Sequence, residues 1–191
     1  MSEEAPLVVG ITGASGAPIA VAALRALHEA KIPVHVAVTR GGVAVLREEA
    51  GLTLKDLARW AGTIYSEDDL AAPIASGSVP TRGMVVVPCS SNTAAKISLG
   101  LGDTLVVRAA HVHLKERRKL VIVPRETPLP TLELGHLTRL SELGVVILDA
   151  SPPYYLGFKE ISQATDYLAG KILDQFNVPH HLYRGWKQGE H

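Results

Sequence analysis

A single cysteine, Cys89, excludes an internal disulfide and any metal site built on several thiolates. There is no charge excess either. Lys plus Arg and Asp plus Glu both number 19, so no basic field steers nucleic acid toward this chain. No run approaches the ~18 consecutive apolar residues of a membrane span. The first six residues are polar and acidic and lack the charged-then-apolar pattern of a signal peptide. Internal repeats, low-complexity tracts and interdomain linkers are also missing. The expectation is a soluble, cytoplasmic protein of one domain spanning 1–191, long enough at 191 residues to bury a full core.

What is present is alternation. Apolar runs of strand length at 7–12, 34–39, 84–88, 120–124 and 145–149 are separated by Ala-rich or amphipathic stretches. Those stretches, at 17–30, 42–50, 92–99, 104–116, 131–143 and 160–176, carry helical patterns. The strands are near-continuous Val, Ile and Leu, as a parallel sheet covered on both faces requires. The order predicts an α/β fold: a doubly wound, Rossmann-like or flavodoxin-like parallel sheet with helices on both faces. A tail at 177–191 carries Tyr183 and Trp186 and is expected to dock on the domain or on a neighbouring subunit.

Two turns carry the chemistry. Gly10-x-x-Gly13-x-Ser15-Gly16 joins a strand to a helix, so glycines allow a tight turn and close approach, and the helix start offers N–H groups to an anion. No Lys follows as in a Walker loop, which argues against a nucleoside triphosphate. The second turn, Pro88-Cys89-Ser90-Ser91-Asn92-Thr93, presents four hydrogen-bonding side chains in succession. One such residue is an ordinary helix cap; four in a row opposite another polar turn favour a ligand. Both turns fall at the carboxyl ends of strands, where open α/β sheets bind ligands, so a phosphate-bearing cofactor between them is expected. Thr39 ends the second strand and offers a third hydroxyl.

Charged residues divide between the bland and the functional. Arg117 and Arg118, in Lys115-Glu116-Arg117-Arg118, read as a solvated helix end complementing the dipole. Arg125-Glu126 follows the fourth strand directly, on the ligand edge. Arg108, in mid-helix among Val and Ala, is either a snorkelling surface residue or a charge aimed at an anion. His111 and His113 are two apart on a helix and face different sides, so they cannot chelate one metal. No histidine is assigned a catalytic role.

The segments GITGASGA, MVVVPCSSNTAAKIS, DTLVVRAA, LKERRKLVIVPRETPL, LGVVILDASPPYY and ILDQF together resemble the flavin prenyltransferases, the UbiX-like group, essentially end to end. That resemblance implies an enzyme that joins dimethylallyl phosphate to reduced FMN at N5 and C6. It also implies a product used by a separate UbiD-type decarboxylase, and a dodecameric assembly with FMN at subunit contacts. By similarity, Gly13, Ala14, Ser15, Thr39, Ser90, Ser91, Asn92, Thr93 and Arg125 would hold FMN. Lys115, Glu126, Tyr155 and Lys171 would surround the allylic phosphate, and Ser15 and Glu49 would relay protons. Glu126 and Lys115 are included in the expected catalytic set. Trp186 matches a family tryptophan whose π-face suits an allylic cation. No Asp-rich pair with prenyltransferase spacing is present, so a metal-independent reaction is expected, with Lys and Tyr donors stabilising the leaving group.

Four positions depart from the family pattern. Thr39 stands in place of Ser, Lys171 in place of Arg, Leu70 where some relatives have Trp, and Gly157 in place of a more polar residue. Lys171 keeps the charge but loses the bidentate fork. Two rival readings stay open at this point. A short-chain NADP oxidoreductase would use Tyr155-x-x-x-Lys159, but Pro152-Pro153 and Gly157 argue against the helix it needs. An FMN-dependent cysteine decarboxylase would share fold and cofactor but calls for a Pro-x-Met-Asn motif that is not found. A non-catalytic FMN-storage or partner-binding protein is a third possibility, separable by turnover.

Overall fold

A computed structural model describes residues 5–185. The chain runs β1 (Leu7–Ile11), α1 (Ala17–Glu29), β2 (Val34–Val38), α2 (Arg40–Ala50), a one-turn α3 (Leu54–Leu57) and β3 (Thr63–Ser66). A 3-10 turn (Pro73–Ala75) leads to β4 (Gly83–Cys89), α4 (Ser91–Leu99), α5 (Leu105–Lys115) and β5 (Leu120–Pro124). Then come α6 (Thr131–Glu142), β6 (Val146–Ile147), a second 3-10 turn (Tyr154–Leu156) and α7 (Ile161–Gln175).

The six strands form one parallel sheet in the order β3-β2-β1-β4-β5-β6. The near-continuous apolar strands explain its burial. Side chains alternate across the sheet with period two, and both faces are covered. Leu7, Val9, Ile11, Val85, Val87, Val121 and Val123 pack into the layer of α1 and α7. Val8, Met84, Val86, Leu120 and Ile122 pack into the layer of α5 and α6. Chain order reverses between β1 and β4, and that switch point opens a crevice at the carboxyl ends of the strands.

Several boundaries differ from the sequence expectation. β3 was not anticipated: Thr63–Ser66 is an edge strand whose residues are half-exposed or exposed, so it lacks the apolar run that marks the others. Thr39 is not the last residue of β2 but the N-cap of α2, its hydroxyl accepting the Gly42 N–H at 3.0 Å. β6 is shorter than 145–149, although Leu148 N–H and Ala150 N–H continue to bond to β5 carbonyls.

Helix direction decides which edge of the sheet a helical side chain can reach. For α5 both ends are fixed by contacts. The Leu105 N–H donates to Glu67 O beside the end of β3, and His113 meets Thr81 just before β4 begins. For α7 the far end is fixed where the Lys119 ammonium donates to Gln175 O.

Candidate functional site

The crevice between β1 and β4 is tied shut at its base by Thr12, which is fully buried. Its hydroxyl donates to Pro88 O at 2.7 Å and accepts the Ser90 N–H at 2.8 Å, while its own N–H donates to Pro88 O. The two polar turns therefore stand in fixed relation. Sequence reading missed Thr12, because a hydroxyl immediately after an apolar run looks like any strand end.

The first turn is shaped by close backbone approach. A Cβ on Gly41 would lie 2.9 Å from Gly13 Cα, so the β1 and β2 loops touch only because neither residue has a side chain. Gly16 precedes α1 with φ +130°, a conformation that L side chains rarely adopt. The start of α1 does not await an external anion. Glu49 Oε2 accepts the N–H of Gly16 at 2.8 Å and of Ala17 at 2.9 Å, so a carboxylate of the chain already sits against the positive end of the dipole. That corrects the expectation of a phosphate at this helix end. It also brings Glu49 beside Ser15. The backbone N–H groups of Gly13, Ala14 and Ser15 donate to no group among the described residues, and the Ser15 side chain is exposed.

The second turn divides its four side chains. Ser90 caps α4 by accepting the Thr93 N–H at 3.3 Å, and its hydroxyl bonds to that of Thr93 at 3.0 Å. Thr93 is buried and Asn92 is exposed, with Ser91 between them in exposure. The amides of Ser91 and Asn92, at the first two positions of α4, have no partner among the described residues. This helix start, not that of α1, is the one open to an anion.

Arg125 leaves the end of β5 and crosses β4 to reach the first turn, its Nε donating to Ser15 O at 3.3 Å. Glu126 lies 3.9 Å from the guanidinium and accepts the Thr127 N–H at 3.1 Å. Gly13, Ala14, Ser15, Glu49, Ser90 to Thr93, Arg125 and Glu126 thus share one edge.

Among the described residues, Lys115 and Lys171 do not join them within one chain. Lys115 ends α5 at the amino edge, exposed and paired with Glu116 at 3.0 Å. With Leu70, Arg108 and His111 it lines an open cavity of about 710 Å³ along α5. Lys171 lies near the far end of α7, on the opposite face of the sheet. Tyr155 is exposed in the 3-10 turn, and an aromatic chain links that segment to Lys171. Phe158 and Tyr167 have ring centroids 6.1 Å apart, Tyr167 and Tyr183 4.8 Å, and Lys171 Nζ stands 5.7 Å from the Tyr183 ring. Trp186 lies outside the described residues.

Arg118 is not the solvated helix end expected. It donates to Val79 O at 2.7 Å, Gly77 O at 2.6 Å and the Thr81 hydroxyl, clamping the loop before β4. Beneath it His113, fully buried, bonds to Ala109 O and Thr81. Burial, with the nearby Arg118 charge, depresses its pKa despite the bond to Ala109 O. Burial and the Glu133 carboxylate push the Cys89 thiol up to about 12, which leaves it inert. The pair Tyr155 and Lys159 lies across a 3-10 turn that ends in a left-handed Gly157, so it does not share a helical face. That removes the geometry a short-chain oxidoreductase needs.

Residues 1–174 match the Flavoprotein family. Over 184 residues the chain is 40% identical to the flavin prenyltransferase UbiX of Deinococcus radiodurans, covering 96% of this chain and 94% of that protein. The chain belongs to the flavin prenyltransferase family. A solved member, AnUbiX in complex with FMN and dimethylallyl pyrophosphate, superposes with a TM-score of 0.94 at 34% identity, over 98% of this chain and 100% of that one. A dodecameric FMN-dependent UbiX-like decarboxylase from Escherichia coli O157:H7 superposes at 0.91 with 40% identity, over 95% and 100%. No helix of the described residues is long and apolar enough to cross a membrane.

Proposed function

We propose that this chain is a flavin prenyltransferase acting on reduced FMN and dimethylallyl phosphate. The bond from the prenyl carbon to the phosphate oxygen breaks as a bond to flavin N5 forms, releasing phosphate and the N5 proton. Ring closure then joins the prenyl double bond to C6, one alkene carbon gaining a proton and C6 losing one. The observation that carries this reading is the switch-point edge, where unpartnered amides, two touching glycines and Arg125 converge in a family member 40% identical to a named flavin prenyltransferase.

The residues fit a flavin mononucleotide. The amides of Ser91 and Asn92 suit its phosphate, with Ser90 and Thr93 holding the α4 cap in place. Gly13, Ala14 and Ser15 offer backbone N–H groups that no described residue accepts, and Thr39 fixes the neighbouring loop that Gly41 packs against Gly13. When bound, reduced flavin supplies the nucleophilic N5. Glu49 and Ser15, side by side at the start of α1, handle the proton that ring closure releases, and Glu126 does the same work beside the donor.

Lys115, Tyr155 and Lys171 reach the donor from neighbouring copies in a homo-oligomer, a dodecamer on the pattern of the Escherichia coli relative. The exposed Leu132, Tyr154 and Ile161, at 74%, 99% and 87%, support such burial between copies. Cationic and phenolic donors stabilise the departing phosphate without a metal. The product serves a UbiD-type decarboxylase.

Anaerobic incubation with reduced FMN and dimethylallyl phosphate, followed by mass spectrometry of the flavin, tests the function. The expected result is a flavin heavier by one dimethylallyl unit, with stoichiometric phosphate. An unchanged flavin mass removes the reading, and tight NADP binding without FMN binding would revive the oxidoreductase alternative.

A further inference from the structure

The family resemblance places Lys171 at the donor phosphate where an arginine is usual, and lysine is the weaker choice on geometric grounds. Its ammonium sits on a flexible four-carbon stem, without the planar fork that pre-organises arginine for an oxyanion. This chain surrounds that stem with a network that the expected site residues do not include.

We infer that Asp174 and Tyr183 are positioning residues that hold the Lys171 ammonium for the donor phosphate, an inference resting on the placement of Lys171 proposed above. Lys171 Nζ donates to Asp174 Oδ2 at 3.1 Å and to the Tyr183 hydroxyl at 3.4 Å. The Tyr183 hydroxyl in turn donates to Asp174 Oδ2. Two of the three ammonium N–H groups are thereby directed and one is left for a ligand. His180 Nε2 reaches the other carboxylate oxygen at 3.0 Å, while its Nδ1 accepts the Leu182 N–H, so the carboxylate is itself anchored.

The tail reaches this position because of what lies beneath it. Gly170 faces the Tyr183 ring so closely that a Cβ there would stand 2.6 Å from Cδ1, and Tyr167 packs against the ring from the side. Burial works against the Lys171 charge, but the bonds to Asp174 and Tyr183 outweigh it and leave its pKa raised. Burial likewise opposes the Asp174 charge, and the three hydrogen bonds it accepts leave its pKa lowered. The pair stays ionised, and a lysine rotamer fixed before binding loses less entropy when it meets the phosphate.

Steady-state kinetics on the assembled, FMN-loaded protein test this. Asp174→Asn and Tyr183→Phe are expected to raise KM for dimethylallyl phosphate about tenfold, with kcat and FMN affinity within about twofold. Tyr183→Phe keeps the ring against Tyr167 and Gly170, so it should fold even if Asp174→Asn does not. Lys171→Ala should raise KM at least as much, and adding Asp174→Asn to it should change nothing further. Unchanged KM in both single variants, with KM raised in Lys171→Ala, overturns the positioning role and leaves the placement of Lys171 standing. A KM rise from Asp174→Asn of the same size in the Lys171→Ala background marks a merely structural effect and also overturns it. Unchanged KM in Lys171→Ala removes Lys171 from the donor, and the inference falls with it.

Discussion

Removing the Glu49 carboxylate separates two accounts of where the flavin phosphate binds. Glu49 Oε2 accepts two N–H groups at the start of the 13-residue α1, and one of them belongs to Ala17, which is fully buried. Loss of a helix cap costs about 1 kcal/mol and loss of the charge–dipole interaction adds about 0.3–1 kcal/mol. Glu49→Ala should therefore destabilise by about 1–2 kcal/mol, a fall in Tm of roughly 2–8 °C for a chain of this length. Glu49→Gln keeps an acceptor oxygen and should lose only the dipole part. With the phosphate at α4, as proposed, FMN affinity should hold within about twofold in both variants. Prenylation should slow by about a hundredfold, the lower range for losing a general acid or base. Calorimetry, FMN titration and single-turnover flavin mass spectrometry read the three quantities. If FMN bound markedly tighter to Glu49→Ala, the carboxylate would be competing with the phosphate for α1, and the assignment to α4 would be refuted.

Thr12→Val keeps shape but strands the Ser90 N–H and removes a bond to Pro88 O, so a loss of about 2–3 kcal/mol in urea unfolding and weaker FMN binding are expected. His113, whose pKa is depressed from 6.5 by burial, binds fewer protons folded than unfolded. Stability should therefore fall as pH drops below about 6.5, and His113→Gln should flatten that slope in Tm measured against pH. Activity should persist in excess EDTA, and Lys115→Ala should cost about ten- to a hundredfold in kcat/KM for the donor, the loss of one charged donor to an anion; a strict Mg²⁺ requirement would show that the leaving group is stabilised otherwise.

The sheet was legible because both its faces are buried: strands such as Leu7–Ile11 and Leu120–Pro124 have no exposed residue, so no polar position interrupts the run. β3 was not, since an edge strand with a half-exposed Thr-Ile-Tyr-Ser pattern looks like loop. The two polar turns were legible from Gly, Ser and Thr following strands. Their internal bonding was not. Spacing says nothing of Glu49 reaching a helix start 33 residues earlier, or of Ser90 and Thr93 satisfying each other. The separation of Lys115 from Glu126 was not readable from spacing alone: α5 ends at the amino edge, where His113 meets Thr81, whereas Glu49 in the last turn of α2 lies at the carboxyl edge. The Arg118 clamp depends on a loop geometry that no local pattern encodes.

Mixed assembly of two variants tests most directly whether one prenylation site is built from several copies. Lys115→Ala and Glu126→Gln, each slowed when assembled alone, are dissociated, mixed in equal amounts and reassembled, and prenylated FMN is quantified by mass. With Lys115 and Glu126 contributed by different copies, about a quarter of the sites regain both residues, and product forms well above the sum of the separate rates. Product no greater than that sum would mean that both residues act from the same chain, and the account of the site would be wrong.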